Sequence, residues 1–223
     1  MSEIDNKLES YLKLLCQKAL ELGASEAVVI PVSDIVVDER TRLKCLVPLC
    51  SFYDANLMCP PNVMPISEFR EILKKYHGAI LIKVEATSAS QPEELADQIG
   101  LAEAWEIVKS VRKKVSERQT IITEYSYALR DNQERLYKII EQIESLCIRE
   151  GYHFATGLSA GACLLCDECV GAKSGLPCRY PFKARTSMGA LGIDVVVTAK
   201  LAGIEVNFAH NAARSCLGMV LVD

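Results

Sequence analysis

The chain has 223 residues, half of them apolar, so it can bury a hydrophobic core without covalent cross-links. A net charge of -4 with five phenylalanines and one tryptophan gives no electrostatic or stacking basis for nucleic acid as a partner. The first residues are charged, which argues against a signal peptide. No apolar run approaches the roughly 20 residues that are needed to cross a bilayer, which argues against a membrane span. We therefore expect a cytoplasmic protein in which clustered, reduced cysteines ligate metal.

The N-terminal part of the chain predicts a helix, a strand and then an irregular segment. A first helix ends at Gly23, and its apolar positions recur at helical spacing (Leu8, Tyr11, Leu12, Leu15 and Ala19). Residues 27–30 predict a buried strand, with 35–37 as a candidate second piece. Periodicity then disappears over residues 38–62, the front segment, which contains three prolines and three cysteines (Cys45, Cys50 and Cys59). This composition predicts a ligand loop.

The middle of the chain is mainly helical around one strand. Pro65 predicts the start of a helix that Gly78 ends, with one apolar face (Ile66, Phe69, Ile72, Leu73 and Tyr76). Residues 79–84 give the clearest strand pattern in the chain. Pro92 opens a long helical region with apolar residues at steps of three and four (Leu95, Ile99, Ala102, Val108, Val111 and Val115). A further helix is predicted near 129–150.

The C-terminal part carries the second group of cysteines. Residues 153–158 predict a short strand, and 159–181, the rear segment, places four cysteines among glycines (Cys163, Cys166, Cys169 and Cys178). Two helical stretches at 183–191 and 194–202 and a closing strand at 217–223 follow. Strands separated by helices predict an α/β fold, with a small mixed sheet flanked by helices. Because no repeat or long linker divides the chain, residues 1–223 are expected to form a single metal-binding domain.

The spacing of the rear cysteines favours an iron-sulfur cluster. Cys163, Cys166 and Cys169 form a C-x2-C-x2-C run, whose three thiolates suit three corners of a [4Fe-4S] cubane. Structural zinc sites, the alternative, pair two C-x2-4-C knuckles on one tetrahedral ion. Cys178 is the predicted fourth ligand. In a second wiring Cys59, which precedes a proline as in two-cluster ferredoxins, exchanges partners with Cys178.

The front cysteines predict a second metal centre with an incomplete ligand set. Two cubanes need eight thiolates, and the two segments supply seven. The remaining iron could take a histidine, another cysteine or water, or it could be open to a small molecule. The candidate cysteines to ligate this iron are Cys16, Cys147 and Cys216. Cys16 and Cys147 lie in predicted helices beside apolar residues, as buried structural thiols do. None of the three histidines is assigned as a ligand.

Basic residues follow the last rear cysteine directly. Arg179, Lys183 and Arg185 could offset the negative charge of a thiolate-bound cluster, or receive an anionic substrate or an acidic partner. An exposed helix start would explain them equally well. We take Arg179 and Arg185 as candidate cofactor-binding residues.

Three motifs together resemble a known family. They are the C-x4-C-x8-C-P-P pattern of the front segment, the C-x2-C-x2-C-x8-C pattern of the rear segment, and a tail of separated residues (Arg179, Pro181, Arg185, Ser187, Gly192, Ile193 and Asp194). The chain resembles over most of its length a family of small, uncharacterised proteins of anaerobic microbes that is described as predicted metal-binding. The resemblance implies metal binding and names no reaction.

Three functional hypotheses follow from the cysteines. In the first, the chain is an iron-sulfur oxidoreductase with one or two [4Fe-4S] clusters, which transfers electrons to a redox partner protein or reduces a bound small molecule. In the second, an open iron acts without redox chemistry as a Lewis acid or a sulfur acceptor. In the third, zinc stabilises an interaction module without catalysis. The sequence assigns no catalytic residue and no oligomeric state.

Overall fold

The structure is a computed structural model that describes residues 6–47, 49–85, 117–206 and 215–223, with the backbone alone for 117–129. The predicted helical region after Pro92 lies outside the described residues. Within them, four strands form one sheet (β1 Glu26–Ile30, β2 Gly78–Glu85, β3 Thr156–Ser159 and β4 Ser215–Val222). Five α-helices surround it (α1 Asn6–Glu21, α2 Leu43–Leu46, α3 Ile66–Leu73, α4 Glu117–Arg149 and α5 Val195–Leu201). The predicted combination of helices with a small sheet is confirmed.

The sheet has the strand order β1-β2-β4-β3, and every pairing among the described strands is antiparallel. The register sets Val28 opposite Leu81, Leu81 opposite Met219, and Met219 opposite Leu158. The expected mixture of strand directions is therefore absent from these strands. Apolar pattern identifies a strand by its own residues, whereas direction depends on which strand becomes its neighbour.

Both faces of the sheet are buried, because alternate residues of the central strand β2 point to opposite sides. Ile80 and Ile82 pack into one core with α1 and α4 (Leu12, Leu15, Leu136, Ile140 and Ile143). Leu81 packs on the other side with α3, α5 and the segments near them (Phe69, Leu73, Met188, Ile193 and Ala199). The apolar face predicted for the first helix is confirmed, and Gly23 follows it with a φ of 102°.

Helix α4 lies unusually close to two strands of the sheet. A Cβ atom at Gly157 would come within 2.2 Å of Ile140 Cγ2, and one at Gly218 within 2.7 Å of Ile140 Cδ1. Glycine is therefore required at both positions for Ile140 to pack against β3 and β4. This close contact fixes α4 above the start of the rear segment, which follows β3 directly.

Two predicted elements differ in the structure. Residues 183–188 are irregular apart from an isolated bridge at Ser187, and only Gly189–Leu191 forms a short 3-10 helix. The segment bonds instead to the end of β3, where Ser159 N donates to Thr186 O at 3.0 Å and Met188 N donates to Ser159 O at 2.7 Å. Of residues 35–37, only Val37 pairs, in an isolated bridge with Ile193. In both places tertiary hydrogen bonds decide the backbone conformation.

The front segment contains short helices where an irregular loop was expected. Residues Glu39–Arg42 form a 3-10 helix, and α2, which includes Cys45, follows it. None of the helices in the described ranges has the length and apolar content needed to span a membrane.

Candidate metal centre

The four rear cysteines border one narrow cavity. Cys163, Cys166, Cys169 and Cys178 line it together, opposite residues 56–58 of the front segment. Its volume is about 10 Å³, close to what one water molecule occupies by the same measure. The four thiols are therefore gathered at one place, and Cys163, Cys166 and Cys169 also border a neighbouring cavity of about 410 Å³.

Helix α4 positions the cysteine run through Gln133. Its side chain is 5% exposed, and its amide nitrogen donates to the Ala162 carbonyl at 2.8 Å. Its amide oxygen accepts from the Leu164 backbone nitrogen at 3.1 Å. These two hydrogen bonds fix the position of the backbone on each side of Cys163. Sequence reasoning missed Gln133, although a polar residue three positions before Leu136 on an apolar helix face was a usable signal.

Asn56 joins the front segment to the rear segment. This buried residue donates from its amide nitrogen to the Cys163 carbonyl at 2.9 Å and accepts from Met58 N at 2.9 Å. Its backbone oxygen accepts from Cys59 N at 3.1 Å. Asn56 is therefore hydrogen-bonded to the backbone of a rear cysteine, Cys163, and of a front cysteine, Cys59.

Backbone amides point at two of the rear sulfurs. Leu57 N donates to Cys169 Sγ at 3.5 Å, and Tyr180 N donates to Cys178 Sγ at 3.4 Å. Such N–H groups stabilise a thiolate, which is the protonation state that a metal requires. Four thiols around one space, with amides aimed at their sulfurs, are a donor set that fits an iron-sulfur cluster.

The three front cysteines border a much larger cavity. Cys45, Cys50 and Cys59 all line a space of about 650 Å³, which falls within the usual size range of small-molecule sites. Its wall is mainly apolar and also carries several polar and charged side chains (Asp38, Arg40, Thr41, Lys44 and Tyr53). The front trio is thus exposed to a volume that can hold a small molecule.

Cys59 lies between the two groups. Burial raises the pKa of Cys59 to about 12, and the charges of two front and two rear cysteines contribute (Cys50, Cys45, Cys163 and Cys169). Cys50 and Cys59 also share a small apolar cluster with Phe52, Ala162 and Leu164. Cys59 therefore stays protonated until a cation neutralises its thiolate.

No group of three Cys, His, Asp or Glu side chains within the described ranges surrounds a single point as a ready ion site would. Cysteines outside the two segments take no part in either cavity. Burial raises the pKa of Cys16 to about 11, of Cys147 to about 12 and of Cys216 to about 11, and all three pack in or against the core beneath α1 and α4. His77 and His153 are exposed, and His210 lies outside the described residues.

The two candidate arginines both contact protein groups. Arg179 donates to the Glu168 carbonyl at 2.7 Å, which braces the rear segment. Arg185 forms a largely buried ion pair with Glu144 on α4 and donates to the Phe182 carbonyl at 2.9 Å. Arg185 and Glu144 line a separate cavity from those of the cysteines. The cofactor-binding role of both arginines stays a prediction.

The family comparison agrees with this donor chemistry. A family model described as "Predicted metal-binding protein (DUF2284)" matches residues 28–222, which include both cysteine segments. No curated protein and no solved structure matches the chain.

Proposed function

The chain belongs to the DUF2284 family of predicted metal-binding proteins, and we propose on that premise that it is an iron-sulfur protein that reduces a small molecule. In this proposal Cys163, Cys166, Cys169 and Cys178 hold a [4Fe-4S] cluster, and the front trio holds a second centre. Such clusters, when bound, supply one-electron chemistry. The chain's own part is to bind them, to seat the substrate beside one of them and to limit the access of water.

One observation carries the proposal: all three front thiols line the same 650 Å³ cavity. Three protein ligands leave a cubane with one position that the protein does not fill, and here that position would face a space of substrate size. The closeness of Cys59 to Cys163 and Cys169 supports electron transfer between the two centres, because the segments that hold them are in contact.

The lining of the front cavity indicates the kind of molecule that fits. Apolar side chains such as Phe52, Ile193 and Leu217 form much of the wall, so a compact, largely apolar substrate would displace weakly held water. Arg40 is paired with Asp38 through several hydrogen bonds. Lys44 lines the same wall, is exposed, and could attract a substrate with a negative group.

Electrons would enter at the rear segment. Tyr180 and Phe182 are exposed beside Cys178, and Arg179 and Lys183 lie next to them. Exposed aromatic residues with basic neighbours are suited to brief contact with an acidic redox protein. The rear cysteines would then stand between that partner and the front cavity.

The first experiment is metal analysis of protein purified without oxygen. We expect acid-labile sulfide and about eight iron atoms per chain if both centres are cubanes. Cys166→Ser should remove the rear centre and Cys45→Ser the front one, while Cys147→Ser, a buried cysteine outside both cavities, should leave both intact. Stoichiometric zinc without sulfide would reject the proposal in favour of a zinc-stabilised module.

The same cavity also favours one non-redox alternative, in which the open iron acts as a Lewis acid. Electron paramagnetic resonance of the reduced protein separates the two. In the redox case a low-potential donor reduces the front centre, and Cys45→Ser removes its signal. A front centre that no donor reduces, but whose absorption changes when a small molecule binds, would support the Lewis-acid function.

A further inference from the structure

A buried hydroxyl beside the rear cysteines has no hydrogen-bond partner among the described residues. Tyr137 lies on α4 and is 4% exposed, and its hydroxyl oxygen is fully enclosed. Buried polar groups in folded proteins are nearly always paired, so an unpaired one calls for a specific explanation. One such explanation is a hydrogen-bond acceptor that forms only when a metal or a cluster is bound.

The position of Tyr137 points to Cys163 as that partner. Tyr137 follows Gln133 by four residues, so the two side chains share one face of α4. Gln133 holds the backbone at Ala162 and Leu164, on both sides of Cys163. The side chains of Cys163 and Ser159 both lie close enough to the Tyr137 hydroxyl to interact with it. Of these two groups, only Cys163 changes its strength as an acceptor when metal binds.

The acceptor strength of Cys163 depends on its ligation. A neutral cysteine thiol is a weak acceptor of hydrogen bonds. A metal-bound cysteine is a thiolate, which accepts hydrogen bonds strongly. The Tyr137 hydroxyl thus gains an acceptor at the moment when Cys163 becomes a ligand.

We propose that Tyr137 donates a hydrogen bond to the Cys163 thiolate of the loaded rear centre and thereby raises its reduction potential. This inference rests on the proposed iron-sulfur function. Hydrogen bonds to cluster sulfurs are one of the means by which proteins set the potential. A donor at this sulfur stabilises the reduced state more than the oxidised state, because reduction adds one electron to the cluster and its ligands.

The test is Tyr137→Phe, which removes only the hydroxyl. In full-length protein loaded without oxygen, we expect unchanged iron and sulfide per chain and a more negative midpoint potential of the rear centre, followed by electron paramagnetic resonance. Tyr11→Phe is the matched control. The Tyr11 hydroxyl is also buried without a partner in the described part of the chain, but it lies beside Cys147 in the core. We expect the potential of that variant to equal that of the unmodified chain.

A second measurement uses the unmodified chain in D₂O. Several exchangeable deuterons should couple to the reduced rear centre, including those of the Leu57 and Tyr180 amides. The coupling from the Tyr137 hydroxyl should be lost in Tyr137→Phe, while the amide couplings remain. If that variant does not fold, replacement of all tyrosines by fluorotyrosine strengthens the donor and should make the potential more positive.

An unchanged potential in a fully loaded, folded variant, or with fluorotyrosine, would overturn the role of Tyr137 and leave the proposed function standing. Purified protein without iron and sulfide would overturn the proposed function itself, and the role of Tyr137 with it.

Discussion

Replacement of Gln133 by leucine should destabilise the rear segment and weaken its binding of metal. The substitution introduces an apolar side chain of similar size on α4 and removes the acceptor for Leu164 N and the donor for Ala162 O. Each buried backbone group that loses its partner costs about 1–3 kcal/mol. Because the segment can partly rehydrate, we expect about 2–4 kcal/mol in total, within the range that two such groups allow.

For a chain of this length, that loss lowers Tm by about 4–16 °C. Loss of support behind a ligand should also weaken metal retention by about 10–100-fold. Both quantities can be measured on the same preparation, Tm by circular dichroism and retention by the rate at which a chelator removes iron. Gln142→Leu is the matched control, since Gln142 lies on the same helix and is exposed. Equal Tm and equal iron loss in the two variants would refute the role given to Gln133.

Three further predictions concern the packing and the thiols. Gly157→Ala should cost about 1–3 kcal/mol of stability, because its Cβ would overlap Ile140; urea unfolding measures this, and an unchanged midpoint would contradict the close packing of α4. Arg185→Met should cost about 3–5 kcal/mol, because it leaves Glu144 largely buried without its cation, and adding Glu144→Gln should recover part of the loss in a double-mutant cycle. In folded, metal-free protein at pH 8, alkylation followed by mass spectrometry should modify the half-buried cysteines of the two segments (Cys50, Cys166, Cys169 and Cys178) much faster than the three core thiols whose raised pKa keeps them protonated (Cys16, Cys147 and Cys216); equal rates would contradict the burial of the core thiols.

Local patterns in the sequence were sufficient for elements whose residues alone determine their conformation. The apolar stripe of α1 and the apolar run of β2 could be predicted because each depends on the spacing of its own side chains. Asp194 is a second local signal, since its carboxylate caps α5 by accepting from Val196 N and Val197 N at 3.1 Å each. Strand order and direction could not be predicted in this way, because β4 enters between β2 and β3 from the far end of the chain.

The candidate site shows the same limit. Cysteine spacing was enough to group the four rear thiols and the three front thiols, and each group does line one cavity. Spacing gave no indication that Asn56 would bond to the Cys163 carbonyl, 107 residues away in sequence. It also gave no indication of the cavity beside the front trio, whose walls include Leu217 from β4 and Ile193 near α5. Contacts between distant segments are properties of the fold, and local composition does not encode them.

The arrangement of the thiols bears on which of the two wirings the chain would use. Cys178 borders the cavity of the other rear cysteines, and Cys59 borders the cavity of Cys45 and Cys50. This grouping favours two separate centres, because the ligands of each centre already border one common cavity. An exchange would require Cys178 to leave the cavity that it shares with the other three rear cysteines. Cys59 is buried between the two segments and would have to move only a short distance to reach the rear cysteines. The position of Cys178 is therefore the stronger argument for the wiring without exchange.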